Sequence, residues 1–385
     1  MRVLHYVPNF ASLVGGRENF VYGLVNHLKK FRIEQSIVTS GYGESKQTRF
    51  DDFTVFSLPE RKFGGYVILD NLVDVLRRHE FDLINVHGYG EYTADVTCLL
   101  KKTGFLRVPT VLTTHGLSGL VNAYSAISPA SSLTPAQRIK RIPHLFYDFT
   151  LGRLEMATFD RIIVASEEEK GYLSRLGLKP EKVVKIPVAV NDIFFSTSYG
   201  TGKRENYVLY VGRIVEYKGL DTLAKAIKEL RSASNIELKC IMIGKDLGYR
   251  SELQSLVGEL GITDLVEFID HTPQNRLVHY YSSALVTVLC SLTDAFGLSL
   301  VESMALGTPF VATPVGAIPD LVDQTKAGLI VPVSDPKALA GAIRQLVEDR
   351  KMWAEMSSRG RESAVRFRWD NIAKRYYQLY TDLVR

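Results

Sequence analysis

Residues 207–231 have the sequence YVLYVGRIVEYKGLDTLAKAIKELR. The stretch opens with a strand-like apolar run, passes through a short loop, and predicts an amphipathic helix over 218–231. Near-continuous apolar strands of this kind are typical of parallel sheets that are buried on both faces. The same alternation of strand and helix continues in both directions along the 385 residues. The sequence therefore predicts an α/β protein with parallel sheets and right-handed crossovers.

The alternation is interrupted once, by the polar stretch 196–206, which contains Ser and Gly and has the composition of a linker. We therefore expect two doubly wound Rossmann-like domains, residues 1–195 and 207–368, that face each other across a cleft. Open α/β sheets bind ligands outside the carboxyl ends of their strands, so functional residues are expected in the loops that follow strands. Twelve strands are predicted, at 4–7, 36–39, 83–87, 111–114, 162–165, 183–186, 207–211, 238–243, 266–269, 285–289, 310–312 and 329–331.

Composition and charge exclude several classes of protein. Hydrophobic residues make up 46% of the chain and charged residues 23%, which are the proportions of a globular protein and not of a disordered, collagenous or coiled-coil one. No stretch approaches the roughly 20 apolar residues of a membrane span, and the first apolar run is too short for a signal peptide. The cysteines, Cys98, Cys240 and Cys290, are too widely separated for a disulfide framework or a zinc ribbon. These features favour a cytoplasmic protein.

Two cations follow the strand of the opening stretch. Arg213 comes directly after it, and Lys218 stands five residues later, at the start of the predicted helix. The planar fork of an arginine and the point charge of a lysine together suit a diphosphate. The structural alternative is a surface arginine and a helix-terminal lysine. A lysine at a helix N-terminus opposes the helix dipole, however, which favours an anionic partner.

A second candidate site is the segment 294–309, DAFGLSLVESMALGTP. Asp294 precedes a turn, and the helix that follows is expected to have free N–H groups at Gly297, Leu298 and Ser299 that can bind a phosphate. Glu302 lies about one turn further, so the two carboxylates can hold hydroxyls of two sugar rings. The alternative is that Asp294 caps the helix and Glu302 is solvated. Four apolar residues of the segment are expected in the core: Phe296, Leu300, Val301 and Met304.

Glycines and histidines near strand ends of the first domain give weaker signals. Gly15 and Gly16 open the first predicted helix, where glycines let backbone N–H groups approach an anion, although an ordinary loop turn is the alternative. His5, His87 and His115 lie at or near strand ends. Three histidines without carboxylates at ligand spacing are a poor metal site, so no metal is predicted. A purely structural role for each histidine stays open.

Taken together, the Gly-Gly loop, the Gly-Arg followed by Lys-Gly, and the two carboxylates around Phe-Gly resemble a retaining GT-B glycosyltransferase of family four, also called group 1. The three motifs stand in the family's order, and the rhythm of strands and helices matches over nearly the whole chain. The resemblance implies that the first domain binds the acceptor and the second domain the nucleotide-sugar donor. It also implies that the final helix, 369–385, crosses back to the first domain.

The resemblance further implies residue roles. Arg213 and Lys218 would hold the nucleotide diphosphate and stabilise the leaving group, and Glu302 would bind the donor ribose. Asp294 would bind hydroxyls of the donor sugar; it stands where the family usually has glutamate, which leaves the identity of that sugar open. His115 would reach into the cleft near the reacting sugar. The implied catalytic residues are Asp294, His115, Arg213 and Lys218. The implied donor-binding residues are Gly15, Gly16, Arg213, Lys218, Phe296, Gly297, Leu298, Ser299 and Glu302.

The activity implied is transfer of a sugar from a nucleoside diphosphate sugar, with UDP or GDP as the expected nucleotide, to a hydroxyl of a sugar, glycan or lipid-linked acceptor. Retention of the anomeric configuration is expected. No Asp-x-Asp motif is present, so the cations and a helix N-terminus would take the place of a metal, and no separate cofactor or nucleic acid partner is predicted. The alternatives are a GT-B sugar-nucleotide epimerase or phosphorylase, and a non-catalytic two-domain sugar-binding protein.

Two regions of the first domain are expected to contact other molecules. Loops over 42–66 and 116–145 are expected to select the acceptor. The segment 138–149 combines basic and aromatic residues, which suits peripheral contact with anionic lipid at the inner face of the membrane. The alternative for this segment is a solvated helix face over an ordinary core.

Overall fold

The computed structural model describes residues 1–8, 10, 16–41, 44–63, 66–117, 146–195, 205–234 and 236–385. These residues form two compact units. The first unit runs to Ala189 and includes Trp369–Arg385, and the second is Val190–Arg368. Several predictions concern residues outside this description: Gly15, the linker stretch 196–204, the loop 118–145, and with it the basic part of the segment 138–149.

The first unit is built on a nine-stranded sheet. Its strands are β1 (Arg2–Tyr6), β2 (Glu34–Gly41), β3 (Lys46–Phe50), β4 (Phe53–Phe63), β5 (Tyr66–Leu69), β6 (Leu83–His87), β7 (Thr110–Thr113), β8 (Arg161–Val164) and β9 (Val183–Lys185). They lie in the order β3-β4-β2-β1-β6-β7-β8-β9, with β5 beside β4. The pairings of β4 with β3 and with β5 are antiparallel, and the others are parallel. The strand order reverses between β1 and β6, which is where such sheets bind ligands.

The second unit is built on a six-stranded parallel sheet. Its strands are β10 (Tyr207–Val211), β11 (Lys239–Ile243), β12 (Val266–Ile269), β13 (Val286–Leu289), β14 (Phe310–Ala312) and β15 (Gly328–Ile330). They lie in the order β12-β11-β10-β13-β14-β15. Counted from β10, this is the 3-2-1-4-5-6 order of a doubly wound nucleotide-binding sheet. The order reverses between β10 and β13, so the loops after these two strands are expected to form the ligand site.

Helices cover both sheets. In chain order they are α1 (Gly16–Leu28), α2 (Leu72–Arg78), α3 (Tyr92–Lys102), α4 (Arg153–Thr158), α5 (Glu167–Arg175), α6 (Leu220–Ser234), α7 (Arg250–Glu259), α8 (Gln274–Ser283), α9 (Leu298–Ala305), α10 (Ile318–Thr325), α11 (Pro336–Glu348), α12 (Arg350–Ala364) and α13 (Trp369–Val384). Within the described ranges, no helix has the length and apolar character that a bilayer span requires.

The C-terminal helix α13 packs on α1 and on one face of the first sheet. Its aromatic residues Trp369, Tyr376 and Tyr380 are buried together with Leu24 of α1. A Cβ atom on Gly23 would lie 2.1 Å from the Trp369 ring, so only glycine lets the two helices approach this closely. The end of the chain therefore completes the core of the first unit.

The α/β fold class is confirmed, and each of the twelve predicted strands is present, with both of its ends within two residues of the prediction. The prediction of a loop over 42–66 is wrong, because its described part contains β3, β4 and the first residue of β5. Every residue of β3 is exposed, so this strand has no buried side and no apolar alternation. Edge strands of this kind carry little periodic signal in their sequence.

Candidate active site

In the second unit, the loops that follow β10 and β13 lie side by side. Leu292 of the β13 loop donates its N–H to the Tyr217 carbonyl of the β10 loop (2.8 Å), and the Cys290 thiol donates to the Gly219 carbonyl (3.0 Å). Gly219 has a φ of 66°, and a Cβ atom there would lie 2.2 Å from the Cys290 carbonyl oxygen. Only glycine fits so close to the neighbouring loop, which explains the Lys-Gly pair of the motif.

The prediction that Lys218 begins a helix is wrong. A single 3-10 turn, Glu216–Lys218, ends at Gly219, and α6 begins at Leu220. The left-handed backbone of Gly219 separates the turn from the helix, so Lys218 is not a residue of the first helical turn. Its side chain instead turns toward the β13 loop and is buried.

Lys218 forms an ion pair with Asp294. Lys218 Nζ lies 2.5 Å from Asp294 Oδ2. Asp294 Oδ1 accepts hydrogen bonds from the N–H groups of Phe296 (3.0 Å) and Gly297 (2.8 Å). Burial acts to raise the pKa of the Asp294 carboxyl, but Lys218 and the two N–H groups outweigh burial and hold the pKa below its usual value. Asp294 is therefore an ionised carboxylate with both oxygens engaged.

The turn before α9 differs from the predicted anion site in one respect. Asp294 already occupies the Gly297 N–H, so this group is not free for a phosphate. Gly297 has a φ of 79°, and α9 begins at Leu298 without a side-chain cap, so Asp294 stabilises the turn and not the first turn of the helix. The N–H groups of Leu298 and Ser299 have no hydrogen-bond partner in the described part of the chain. The residues predicted to be core are buried: Phe296, Leu300, Val301 and Met304.

Arg213 and Lys218 flank the aromatic ring of Tyr217. The guanidinium carbon of Arg213 lies 5.7 Å from the ring centroid, and Lys218 Nζ lies 5.6 Å from it. The Tyr210 hydroxyl donates to the Arg213 carbonyl (2.8 Å) and so fixes the backbone that carries the arginine. Arg213 is exposed, and its guanidinium forms no ion pair with a described residue. The fold thus brings the two predicted cations to one edge of the sheet.

Glu302 is not the solvated helix residue of the alternative interpretation. The Tyr281 hydroxyl of α8 donates to Glu302 Oε2 at 2.7 Å. Burial raises the pKa of the Glu302 carboxyl to about 7, although the hydrogen bond from Tyr281 acts to lower it. Sequence reasoning missed Tyr281, because a buried aromatic residue within a helical pattern does not differ from any other core residue.

The raised pKa of Glu302 leads to a prediction about stability. A carboxyl whose pKa is higher in the folded chain contributes stability below its unfolded pKa, and that contribution is lost as the pH rises. For Glu302 the loss falls between pH 4.5 and about pH 7. Because Glu302→Gln removes the ionisation, the variant is expected to gain free energy of unfolding over the native protein, by at most about 1.4 kcal/mol per pH unit across this window. Urea unfolding below and above the window measures the gain; a difference that does not change with pH would contradict the assignment.

In the first unit, three histidines and a glutamine form a hydrogen-bonded chain beneath the ends of β1, β6 and β7. His5 Nδ1 lies 2.9 Å from His87 Nε2, and His87 Nδ1 lies 2.8 Å from His115 Nε2. Gln35 of β2 extends the chain, with its Oε1 2.8 Å from His5 Nε2. Burial lowers the pKa of all three imidazoles, to about 4 for His5 and about 3 for His115. All three are therefore neutral at pH 7.

His115 has a left-handed backbone, with a φ of 53°. For a residue other than glycine this conformation costs about 1 to 3 kcal/mol and is concentrated at functional sites. The ring of Phe20 in α1 packs edge-on against the imidazole, with centroids 5.3 Å apart. Gly16 is the first residue of α1, as predicted. The strained backbone of His115 and the histidine chain behind it support a functional role for this residue.

The described residues offer no evident metal centre. Within them, no three side chains of His, Cys, Asp or Glu are grouped in a way that could hold a metal ion. His5, His87 and His115 bond to one another, and Cys98, Cys240 and Cys290 are all free thiols.

Comparison with models of known protein families identifies the family of this chain. Residues 14–192 match the model described as Glycosyltransferase Family 4, and residues 193–363 match the model described as Glycosyl transferases group 1. The two matches are contiguous and together leave only the two ends of the chain unmatched. The chain belongs to the group 1 glycosyltransferases. The family suggested by the Gly-Arg, Lys-Gly and Phe-Gly motifs is therefore confirmed.

Curated relatives match part of the chain. The D-inositol 3-phosphate glycosyltransferase of Acidothermus cellulolyticus is 31% identical over 292 residues, which are 71% of this chain and 62% of that relative. The enzyme of the same name from Corynebacterium urealyticum is 34% identical over 179 residues, 45% of this chain and 42% of the relative. The chain thus spans less than two thirds of the length of these relatives.

Solved structures match the whole chain. Sucrose-phosphate synthase from Thermosynechococcus elongatus has a TM-score of 0.78 at 23% identity. The match covers 100% of this chain and 99% of the synthase chain. Alr3699/HepE from Anabaena, solved in complex with UDP, has a TM-score of 0.76 at 18% identity and covers 100% of both chains. At these identities the likeness shows the fold alone. The GT-B fold implied by the resemblance is confirmed.

Proposed function

We propose that the protein is a glycosyltransferase that moves a sugar from a nucleoside diphosphate sugar to an acceptor hydroxyl, with retention and without a metal ion. The observation that carries the proposal is the placement of Arg213 and Lys218 around Tyr217 where the strand order reverses between β10 and β13. An exposed guanidinium beside a buried ammonium suits a diphosphate, and the free N–H groups of Leu298 and Ser299 add two neutral donors. Membership of the group 1 family supports the same reaction.

UDP is the first nucleotide to test, and GDP the second. Alr3699/HepE has been solved with UDP and with UDP-glucose, and it shares the fold. For the acceptor we propose a hydroxyl of a sugar, glycan or lipid-linked compound. The name of the curated relatives makes D-inositol 3-phosphate the first acceptor to test.

In the proposed mechanism, catalysis rests on positioning and on stabilisation of the departing diphosphate. Arg213 and Lys218 bind the phosphates, and their bonds strengthen as negative charge develops on the leaving group. Glu302 accepts a hydrogen bond from the donor ribose. Asp294 binds a sugar hydroxyl through lone pairs not used by Lys218 and the turn. The acceptor attacks from the face that the diphosphate leaves, and the leaving phosphate takes the acceptor proton, because no carboxylate is suitably placed in the sequence motifs to act as a nucleophile.

The test combines binding and turnover. Nucleoside diphosphates are first screened for an increase in melting temperature, and the donor with the matching base is then incubated with acceptor in the presence of EDTA. We expect a glycoside product whose anomeric configuration, read by NMR, equals that of the donor. Isomerised donor without an acceptor product would favour an epimerase. Formation of a sugar phosphate from inorganic phosphate would favour a phosphorylase, and binding without turnover would favour a sugar-binding protein. Activity that EDTA abolishes and manganese or magnesium restores would contradict the metal-free mechanism.

We further propose that the protein works in the cytoplasm and touches the inner face of the membrane through the segment 138–149. In its described part, Phe146 is 71% exposed and Phe149 56%, and Leu151 and Leu154, which follow the segment, are also exposed. Large apolar residues beside a basic stretch suit an anionic lipid surface. Sedimentation with vesicles of phosphatidylglycerol should carry the native protein, and Phe146→Ser/Phe149→Ser should stay in the supernatant. Equal sedimentation of the two proteins would contradict this contact.

A further inference from the structure

We propose that Gln35, His5 and His87 are positioning residues, which hold His115 in the tautomer that carries its proton on Nε2. The lone pair of His115 Nδ1 is then presented as a hydrogen-bond acceptor for a hydroxyl of the sugar substrate. The inference rests on the proposed function, since it assumes that a sugar binds beside His115. It assigns roles to three residues that no motif of the chain indicates.

The donor-to-acceptor direction of this hydrogen-bonded chain is set at Gln35. The side-chain nitrogen of Gln35 donates to the carbonyl of Ile33 at 3.4 Å, and a carbonyl can only accept. The amide oxygen of Gln35 therefore faces His5, so His5 donates to it from Nε2 at 2.8 Å. A neutral imidazole has one donor nitrogen and one acceptor nitrogen, which leaves Nδ1 of His5 as an acceptor.

The donor and acceptor of the next two hydrogen bonds follow in the same way, because each neutral imidazole has one donor and one acceptor nitrogen. Because His5 Nδ1 accepts, His87 donates to it from Nε2 across 2.9 Å. His87 Nδ1 is then an acceptor, so His115 donates to it from Nε2 across 2.8 Å. The remaining nitrogen, His115 Nδ1, keeps its lone pair and has no hydrogen-bond partner among the described residues. One amide on β2 thus fixes the tautomer of a residue that follows β7.

The hydrogen-bonded chain keeps its donor-to-acceptor direction only while its three imidazoles are neutral. A protonated His87 would donate from both nitrogens and would force His115 to accept through Nε2. Burial disfavours the charged form of all three histidines, and the nearby guanidinium of Arg17 acts in the same direction on His87 and His115. Arg17 donates to the His87 carbonyl (3.3 Å) and pairs with Glu91 (2.5 Å), so its charge is held at this end of the chain.

Only His115 can touch a substrate. His5 and His87 are fully buried, and His5 lies beneath the C-terminal helix, with its ring centroid 6.4 Å from that of Tyr380. His115 lies at the carboxyl end of β7, at the edge where the first sheet is expected to bind ligands. His115 Nε2 lies 2.8 Å from His87 Nδ1, so Nδ1 of His115 is the ring nitrogen that the bond to His87 does not use.

The first test needs no substitution. In the native protein labelled with 15N in its histidine rings and measured above pH 7, the ring nitrogen shifts report which nitrogen carries the proton. We expect the Nε2–H form for His5, His87 and His115. His27 is an internal control of the opposite kind, because its Nδ1 lies 2.8 Å from the Gly23 carbonyl and must donate. An Nδ1–H form of His115, or an average of both forms, overturns the proposal.

The second test links the tautomer to the reaction. Gln35→Met removes the acceptor that sets the direction, so we expect mixed tautomers at His115 and a KM for the sugar substrate raised about two- to tenfold with a smaller change in kcat. Asn85→Leu is the matched control: it removes a buried amide of β6 that bonds to Tyr380 (2.7 Å) and Thr113 (3.0 Å) but to no histidine. It should leave the tautomers unchanged.

The outcomes separate this inference from the proposed function. Mixed tautomers in Gln35→Met with an unchanged KM would overturn the positioning role. If the native protein transfers no sugar, the proposed function fails, and with it the sugar contact of His115. The tautomer pattern is decided by the native spectrum alone, so it stands or falls without any activity and without a variant that must fold.

Discussion

Arg213→Ala is expected to reduce sugar transfer by about 100- to 1,000-fold and to leave the melting temperature unchanged. The leaving diphosphate gains charge as the sugar bond breaks, and a guanidinium bond that strengthens in the transition state lowers the barrier. The stability is spared because Arg213 is exposed and makes no ion pair with a described residue. Initial rates at saturating donor and scanning calorimetry measure the two quantities.

Two further variants sharpen the test of Arg213. Arg213→Lys keeps the charge but loses the planar fork, so transfer should fall by less than in the alanine variant. Arg359→Ala removes an exposed arginine of α12 that pairs only weakly with Glu355 (3.6 Å), and it should leave both rate and stability as they are. Native turnover in Arg213→Ala would show that the diphosphate does not bind at this residue.

The inner strands of the second unit, β10, β11, β13 and β14, could be predicted closely from the sequence because nearly all of their residues are buried in a parallel sheet. Residues 207–211 and 310–312 are predicted with the ends that the structure has. β3 and β4 were missed for the opposite reason. All five residues of β3 are exposed, and β4 ends in charged residues after Pro59, so neither presents the continuous apolar run of a buried strand.

The residues of the candidate site could be predicted by type and order, but their contacts could not. Lys218 and Asp294 are 76 residues apart, and their pairing depends on the left-handed Gly219, which ends the 3-10 turn and sets the course of the β10 loop. The hydrogen-bonded chain of side chains from Gln35 to His115 likewise crosses four strands. Hydrogen bonds between distant strands follow from sheet order and register, which no local pattern contains.

Because Lys218 pairs with Asp294, removing the lysine should lower both the rate of sugar transfer and the stability of the fold. Lys218→Ala deletes a phosphate ligand, so transfer should fall as in the Arg213 variant. It also leaves the Asp294 carboxylate buried without its counter-charge, which costs about 3 to 5 kcal/mol in comparable pairs. For a unit of this size we expect the melting temperature to fall by about 6 to 20 °C. Scanning calorimetry with parallel rate measurements tests both effects.

A second substitution separates the two roles of Lys218. Asn in place of Asp294 keeps an oxygen for the N–H groups of Phe296 and Gly297 but carries no charge, so Lys218→Ala/Asp294→Asn should regain most of the lost stability. It should not regain transfer, because the phosphate ligand is still missing. Lys225→Ala breaks only an exposed pair with Asp221 (3.0 Å) and should change stability by less than about 0.5 kcal/mol. If the double variant transferred sugar at the native rate, neither member of the buried pair would act on the donor, and their contact would serve only to join the β10 and β13 loops.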